Sequence, residues 1–326
     1  MWHVGYAAAA IGTAGLLAVL ATAVWSVTPL RARTQQVATA PSMLSRFDYL
    51  AHDARSGHVD HYELFHGLGD LDERLRDADV LFLGNSRLMF AMPPRLIRPF
   101  FRARGLQHYV MGFGHVEANV FAEAVIERLD LRPSLVIVNA DGTFFTDTTS
   151  DWGQVVMTSS RFDALKYRWE ARATHAVRRV LHRYVPHALE LYRNEPEIII
   201  YRSSLDGTWD VQWARYVDFG ARVPPDPGGL DALDPRTIAI ARSFQAEVAA
   251  RGARLLLMSV PAPDVSPGHA RALAAALDVP LLAPPIEELR HFDGSHLIPS
   301  SAQRYASGLL DDLDEVLQLS PPEAGP

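Results

Sequence analysis

The stretch that decides the fold is Val80-Leu81-Phe82-Leu83-Gly84-Asn85-Ser86-Arg87, where an apolar run ends abruptly in a small polar turn. A short apolar run of this kind predicts a strand that is covered on both faces of a sheet. Ligands of open parallel sheets bind beyond the carboxyl ends of the strands. Because the hydroxyl of Ser86 follows such an end, we expect it to act as a nucleophile if a base takes its proton.

A candidate base lies near the C-terminus, in the stretch Phe292-Asp293-Gly294-Ser295-His296-Leu297. One loop can present Asp293 and His296 together, and the carboxylate would then hold the imidazole in the tautomer that accepts the proton of Ser86. The sequence therefore predicts a catalytic triad of Ser86, His296 and Asp293. Two simpler interpretations stay open, in which Ser86 caps the following helix and Asp293 caps a loop.

Further apolar runs repeat the strand-then-turn pattern, and amphipathic helical patterns separate them. This alternation predicts an α/β fold, a three-layer α/β/α sandwich around a parallel sheet. The runs that we interpret as strands are residues 107–114, which end in glycines, 135–138 and 254–261.

Composition narrows the classes of function. The chain has 326 residues, of which 48% are hydrophobic, which suffices for one large or two small domains. A chain with a net charge of -7 does not attract the negatively charged phosphate backbone of nucleic acids, so we expect no nucleic-acid partner. The absence of cysteine excludes disulfides and thiol catalysis. No cofactor is expected, because the sequence has neither a Gly-x-Gly-x-x-Gly turn nor a P-loop.

Residues 4–30 contain no charged residue and have Trp2 and Trp25 near their two ends. About 20 apolar residues span a bilayer, and tryptophan favours its interfaces. The stretch predicts a single-pass anchor in the inner (cytoplasmic) membrane with an extracytoplasmic domain. The alternative is a signal peptide cut after residues 21–23. Arg31 and Arg33 oppose this orientation under the positive-inside rule.

Between residues 146 and 231 the strand and helix alternation breaks. A long helical stretch rich in arginine and aromatic residues is followed by Asp206-Gly207 between two apolar runs, which predicts a hairpin. The predicted plan is a transmembrane anchor at 1–30, a juxtamembrane segment at 31–76, a sheet core at 77–145 and 232–318, an inserted, mainly helical cap at 146–231 and a tail at 319–326.

Histidines suggest two weaker hypotheses of a metal site. The juxtamembrane segment contains four of them among acidic residues, and a second set would combine His115 and Glu117 with Asp293 and His296. The first set has no His-Glu-x-x-His pattern and no paired metal-ligand spacing, and the predicted triad already uses Asp293 and His296 of the second, so we predict no metal site. The four histidines are His52, His58, His61 and His66.

Three blocks of the sequence resemble the SGNH (GDSL-like) hydrolase superfamily, in particular its membrane-anchored bacterial branch associated with polysaccharide O-acetylation. Gly84-Asn85-Ser86 stands where the family has Gly-Asp-Ser. Gly112 or Gly114 stands where it has its oxyanion glycine, although both could be plain turn glycines. Asp293-Gly294-Ser295-His296 matches its Asp-x-x-His.

One block departs from the family. Its Gly-x-Asn-Asp motif falls on Asn139-Ala140-Asp141-Gly142, which puts Asp141 where an asparagine donates to the oxyanion. Because an ionised carboxylate would repel an oxyanion, either Asn139 takes the role, Asp141 is protonated or turned away, or the site is a weaker catalyst. Arg87 is a candidate for recognising a carboxylate or phosphate on the substrate, with a surface or packing role as the alternative.

The resemblance covers residues 77–145 and 232–318 and implies a flavodoxin-like sheet. It also implies a membrane-anchored serine esterase or O-acyltransferase that acts on acyl groups, chiefly acetyl, of a cell-surface polysaccharide or other acylated glycan. A membrane-bound acyltransferase is a further expected partner. The alternative is a non-catalytic polysaccharide-binding or assembly protein on the same scaffold, because fold does not fix function.

Overall fold

The computed structural model describes residues 48–53, 57–113, 117–184, 198–213, 221–224 and 228–318. The chain divides into two compact units, Arg46–Arg172 with Pro196–Pro326, and Met1–Ser45 with Ala173–Glu195. Of the second unit only the end of one helix is described. Within the described ranges, no helix is both long and apolar enough to cross a bilayer. The predicted anchor at 1–30 and tail at 319–326 lie outside those ranges.

The described strands fall into three sheets. They are β1 (Asp48–Asp53), β2 (Gly57–His58), β3 (Val80–Gly84), β4 (His108–Gly112), β5 (Leu135–Asn139), β6 (Ile198–Ser203), β7 (Trp209–Trp213), β8 (Ala221–Arg222), β9 (Arg254–Met258), β10 (Leu281–Leu282) and β11 (Arg290–His291).

The described helices lie between and after these strands. They are α1 (Asp60–Phe65), α2 (Leu71–Arg76), α3 (Ser86–Ala91), α4 (Pro94–Ala103), α5 (Asn119–Leu129), α6 (Asp151–Thr158), α7 (Arg161–Tyr184), α8 (Pro235–Ala250), α9 (Pro267–Leu277) and α10 (Pro299–Gln318).

The central sheet has five parallel strands in the order β4-β3-β5-β9-β10. The chain runs from β3 outward to β4 and then crosses to the other side of β3 to form β5. The prediction of an α/β fold with a parallel sheet is therefore confirmed. In such sheets the ligand crevice opens where the order reverses, here at the carboxyl ends of β3 and β5.

Helices cover both faces of this sheet, because alternate strand residues point to opposite sides. Leu81 and Leu83 of β3 pack with α1, α2, α5, α8 and α9 in one core. Val80 and Phe82 pack with α3, α4 and α10 in the other. Every residue of β3, β4 and β5 is buried, which explains why these strands read as continuous apolar runs.

A second sheet is antiparallel, in the order β2-β1-β6-β7. It pairs residues 48–53, from the predicted juxtamembrane segment, with residues 198–203, from the predicted cap. The hairpin predicted at Asp206-Gly207 is confirmed, since β6 and β7 pair across it. A third sheet joins β8 and β11. The predicted domain boundaries stay predictions, but the described part of the cap contains strands as well as helices.

The turn of the β6–β7 hairpin lies against the outer edge of β4. The N–H of Val110 donates to the carbonyl of Asp206 at 2.8 Å. Gly207 has a φ of +72°, and a Cβ there would lie 2.3 Å from the carbonyl oxygen of Val110. Glycine is needed both for this backbone conformation and for the close approach.

Replacing Gly207 by alanine should therefore lower the free energy of unfolding by about 3 kcal/mol, through the positive φ and the clash together. The matched control is Gly105→Ala, because Gly105 also has a positive φ, +66°, but nothing lies within 4 Å of its Cβ position. The control should lose only about 1 kcal/mol. Urea unfolding measures both, and equal losses would show that the approach to β4 contributes nothing.

Candidate active site

Ser86 occupies the turn between β3 and α3. Asn85 precedes the helix in an extended conformation, and its side-chain oxygen accepts the N–H of Arg87 at 3.0 Å. This cap begins α3 at Ser86 and leaves the Ser86 hydroxyl at the carboxyl end of β3. The predicted nucleophile thus lies at the crevice of the parallel sheet.

The structure brings the three predicted triad residues together in one chain of hydrogen bonds. Nε2 of His296 lies 2.7 Å from Oγ of Ser86. Nδ1 of His296 lies 2.6 Å from Oδ2 of Asp293, and Oδ1 of Asp293 accepts the N–H of His296 at 2.8 Å. Burial would raise the pKa of Asp293, but the hydrogen bond and charge of His296 lower that pKa to about 2. Asp293 is therefore ionised at neutral pH and can orient the imidazole.

Two aromatic rings hold the imidazole of His296 in place. Phe292 stacks on it at 5.6 Å between ring centroids, with 19° between the planes. Phe90 of α3 approaches it at 4.6 Å. Only 17% of the His296 side chain is exposed, so the ring faces Ser86 in a largely dry setting.

The Asp141 carboxylate is buried and fully engaged with its neighbours. It accepts from the side-chain amide of Asn85, from Nη1 of Arg87 at 3.1 Å, and from the hydroxyl of Thr143 at 2.8 Å. Nδ2 of Asn139 lies 3.4 Å away. Arg87 therefore offsets the charge that would otherwise oppose an oxyanion at this position.

Asn139 is also engaged, since its side-chain oxygen accepts the N–H of Val260 at 3.0 Å. The structure thus places Asn139 and Asp141 in one hydrogen-bonded cluster with Asn85 and Arg87, the two neighbours of Ser86 in the chain. Their assignment as oxyanion groups stays a prediction.

Arg87 ties three parts of the chain together. Its Nε donates to Oγ of Ser295 at 3.0 Å, within the loop that carries Asp293 and His296. Its Nη1 pairs with Asp141 after β5, and its Nη2 donates to Asp264 at 2.5 Å. The sequence offered no signal for Asp264 or Ser295 as partners. A contact of Arg87 with substrate stays a prediction.

Two glycines let the strand ends converge. Gly84 and Gly112 pair in register at the ends of β3 and β4. A Cβ on Gly84 would lie 2.9 Å from Cβ of Asn139, and one on Gly112 would lie 2.6 Å from Sδ of Met89. Gly112 therefore sits directly against the helix that begins with Ser86. The other glycine predicted for the oxyanion, Gly114, lies outside the described residues, as does His115.

Four buried charged residues form a network next to the carboxyl end of β4. Nδ1 of His61 lies 3.1 Å from Asp60, and its Nε2 lies 3.2 Å from Glu117. Arg202 pairs with the other oxygen of Asp60 at 3.4 Å. Burial would lower the pKa of His61, but its hydrogen bonds to the two carboxylates raise that pKa to about 9. The network thus combines two carboxylates with two cations.

His58, Asp60 and His61 also offer three ligand atoms within 4.8 Å of one another. A divalent cation there would have to displace the proton that His61 shares with Asp60, beside the guanidinium of Arg202. Because the carboxylate of Asp60 is already neutralised by two cations, the arrangement suits an ion network better than a metal centre.

Fold and site together define an α/β protein with a Ser–His–Asp hydrogen-bond chain at the switch point of a parallel sheet.

Two solved structures are similar to this chain. A crystal structure of TesA is 12% identical with a TM-score of 0.36, over 73% of this chain and 99% of that chain. A "putative acylhydrolase" from Bacteroides fragilis NCTC 9343 is 12% identical with a TM-score of 0.33, over 76% and 94% respectively. No family model and no curated protein matches the sequence.

Arg87→Met should lower the free energy of unfolding by about 3 kcal/mol, because it leaves the buried Asp141 carboxylate without its cation. The matched control is Arg132→Met, which breaks an exposed pair with Asp130 and should cost less than about 1 kcal/mol. Urea unfolding at pH 7 measures both variants. Adding Asp141→Asn to Arg87→Met should restore part of the lost stability. If it does not, the unpaired charge of Asp141 is not the cause of the loss.

The raised pKa of His61 predicts a loss of stability at alkaline pH. Its ordinary pKa of 6.5 applies to the unfolded chain, so the stabilisation is fully present below pH 6.5 and is lost as pH rises through about 9. Between pH 7 and pH 9.5 the free energy of unfolding should fall by about 2 kcal/mol.

Denaturant unfolding across that window tests this expectation. In His61→Gln the loss should largely disappear, whereas His269→Gln, at a half-buried residue outside the network, should keep the pH dependence of the wild type. Identical pH dependence in His61→Gln and in the wild type would show that His61 is not charged in the folded protein.

Proposed function

We propose that this protein is a serine esterase or O-acyltransferase. The observation that carries the proposal is the continuous hydrogen-bond chain from Oγ of Ser86 through His296 to Asp293. A non-catalytic binding protein would not need the imidazole to face the hydroxyl at 2.7 Å, and this geometry favours an enzyme.

In the first half-reaction, Nε2 of His296 takes the proton of Ser86 as Oγ attacks the carbonyl carbon of an ester. A tetrahedral intermediate forms, in which the carbonyl oxygen carries the negative charge. Its collapse breaks the bond to the leaving alcohol, and His296 returns the proton to that alcohol. Asp293 stabilises the imidazolium that exists between these two transfers. The product on the protein is an acyl ester of Ser86.

In the second half-reaction, an acceptor hydroxyl loses its proton to His296 and attacks the acyl carbon. The bond from that carbon to Oγ of Ser86 then breaks, and His296 returns the proton to Oγ. Water as acceptor makes the protein an esterase, and a sugar hydroxyl makes it an O-acyltransferase. Both reactions use the same three side chains. Exclusion of water from the acyl-enzyme decides between them.

The oxyanion requires donors that are fixed before the reaction. The backbone N–H of Ser86 is one candidate, because the first amide of a helix has no acceptor within that helix. A backbone amide that follows β4 in the sequence, such as that of Gly114, is the second candidate. The side chains of Asn139 and Asp141 face each other and their neighbours, which leaves backbone donors as the better supported choice.

The natural substrate that we propose is an acylated glycan of the cell surface, reached by an extracytoplasmic domain on an N-terminal membrane anchor. Support comes from the uncharged stretch at residues 4–30 and from the resemblance of the sequence blocks. A membrane-bound acyltransferase as a partner belongs to the same proposal. Acetyl is the acyl group that the resemblance suggests.

Hydrolysis of p-nitrophenyl acetate tests the triad. Ser86→Ala and His296→Ala should each lower kcat by about 10³-fold or more, since each removes a group that acts in the transition state. Asp293→Asn should lower kcat by a similar factor through the wrong imidazole tautomer. Ser134→Ala is the control, because Ser134 donates to Asp79 just before β5, at the amino ends of the strands, and should keep the wild-type rate.

A fluorophosphonate that labels active serines gives a second readout, in which mass spectrometry should find the adduct on Ser86 of the wild type and no adduct in His296→Ala. Turnover that survives in Ser86→Ala would place the activity elsewhere and overturn the assignment. Oligosaccharide acceptors added to the assay should yield an acylated sugar if the protein is a transferase.

A further inference from the structure

Arg202 of β6 contacts two elements that border the candidate active site. Its side chain is fully buried. Its Nη2 donates to the carbonyl of Gly112, the last residue of β4, and lies 3.5 Å from Sδ of Met89. Met89 belongs to α3, whose first residue is Ser86. One guanidinium thus contacts both the end of β4 and the helix that carries the proposed nucleophile.

The ladder between β3 and β4 explains why Gly112 needs this donor. The N–H of Phe113 donates to the carbonyl of Gly84 at 3.0 Å. Neighbouring residues of a strand direct their backbone groups to opposite sides, so the carbonyl of Gly112 faces away from β3. Because β4 is the outermost described strand of the central sheet, no described strand of that sheet pairs with the carbonyl of Gly112. A buried carbonyl without a donor is costly, and Arg202 supplies the donor.

Charge balance fixes the guanidinium in this place. Asp60 of α1 pairs with Nη1 of Arg202 at 3.4 Å and also contacts His61. His61 contacts Glu117 at 3.2 Å. The network therefore contacts both Gly112 and Glu117.

We propose that Arg202 is a positioning residue for catalysis: it holds the carboxyl end of β4 against α3 and so fixes the hydroxyl and the backbone N–H of Ser86, the first residue of α3. It does not touch the substrate. This inference rests on the proposed esterase or acyltransferase function and assigns to the β6–β7 hairpin a part in the reaction. An oxyanion donor acts only in the transition state, so loss of Arg202 should lower kcat and leave KM nearly unchanged.

The test compares the wild type with the double variant Arg202→Met, Asp60→Asn. The second substitution removes the charge of Asp60 that would otherwise be left unpaired, so the variant loses the donor to Gly112 without a buried lone carboxylate. With p-nitrophenyl acetate, kcat should fall about 10- to 100-fold, and KM should change less than about threefold. Affinity for phenylboronic acid, which forms a tetrahedral adduct with serine, should fall by the same factor as kcat.

Arg98→Met is the matched control. Arg98 of α4 also anchors the hairpin by an ion pair, with Asp206, but contacts neither Gly112 nor Met89 in the described structure. Its loss should lower the melting temperature while kcat stays at the wild-type value. A fall in kcat in Arg98→Met as large as in the double variant would show that the hairpin acts only through stability, and would overturn the proposal.

Arg202→Lys provides a second variant, because it keeps the charge beside Asp60 and loses the fork geometry. Its kcat should lie between those of the wild type and the double variant; if the double variant does not fold, a wild-type kcat in Arg202→Lys overturns the proposal. A folded double variant with unchanged kcat, in a protein whose turnover depends on Ser86, refutes the role of Arg202 alone. Absence of Ser86-dependent turnover in the wild type refutes the proposed function and this inference with it.

Discussion

The ion pair between Arg87 and Asp141 is the interaction on which the candidate site depends. Asp141 follows β5, Arg87 directly follows Ser86 after β3, and Arg87 also reaches the loop of Asp293 and His296 through Ser295. A single planar guanidinium with several donors can connect three segments in a fixed geometry, which a lysine could not do. The serine and histidine therefore meet because the segments that carry them are bonded to the same buried carboxylate and its partner.

Buried ion pairs contribute little net stability, because desolvation offsets most of the attraction, but losing one partner is costly. This asymmetry gives the two buried networks a common property. Each network tolerates only arrangements in which every charge has a partner of opposite sign. One network is the pair of Arg87 and Asp141, and the other links Arg202, Asp60, His61 and Glu117. Charge matching thus restricts how the strand ends and the helix that begins at Ser86 can be placed, whereas apolar packing alone would allow small shifts.

The sequence predicted β3, β4, β5 and β9 because buried parallel strands are short apolar runs, and those patterns are local. It also predicted that Ser86, His296 and Asp293 lie together, because Asp293 and His296 are close in sequence and Ser86 ends a strand. It did not predict the antiparallel sheet, since β1 contains charged residues and pairs with a strand near residue 200. The partners of Arg87 were equally hidden, because Asp264 lies 177 residues away and no local pattern records such a contact.

The hairpin that lies on β4 has a consequence for the molecule in solution. An outer strand with free backbone groups is a template on which another chain can add a strand, which is a route to aggregation. On the β4 side, Val110 and Gly112 direct their backbone groups to Asp206 and Arg202 instead. On the opposite side the sheet ends in β10, which is only two residues long. Within the described residues the central sheet therefore offers little backbone on either flank for recruiting a second copy.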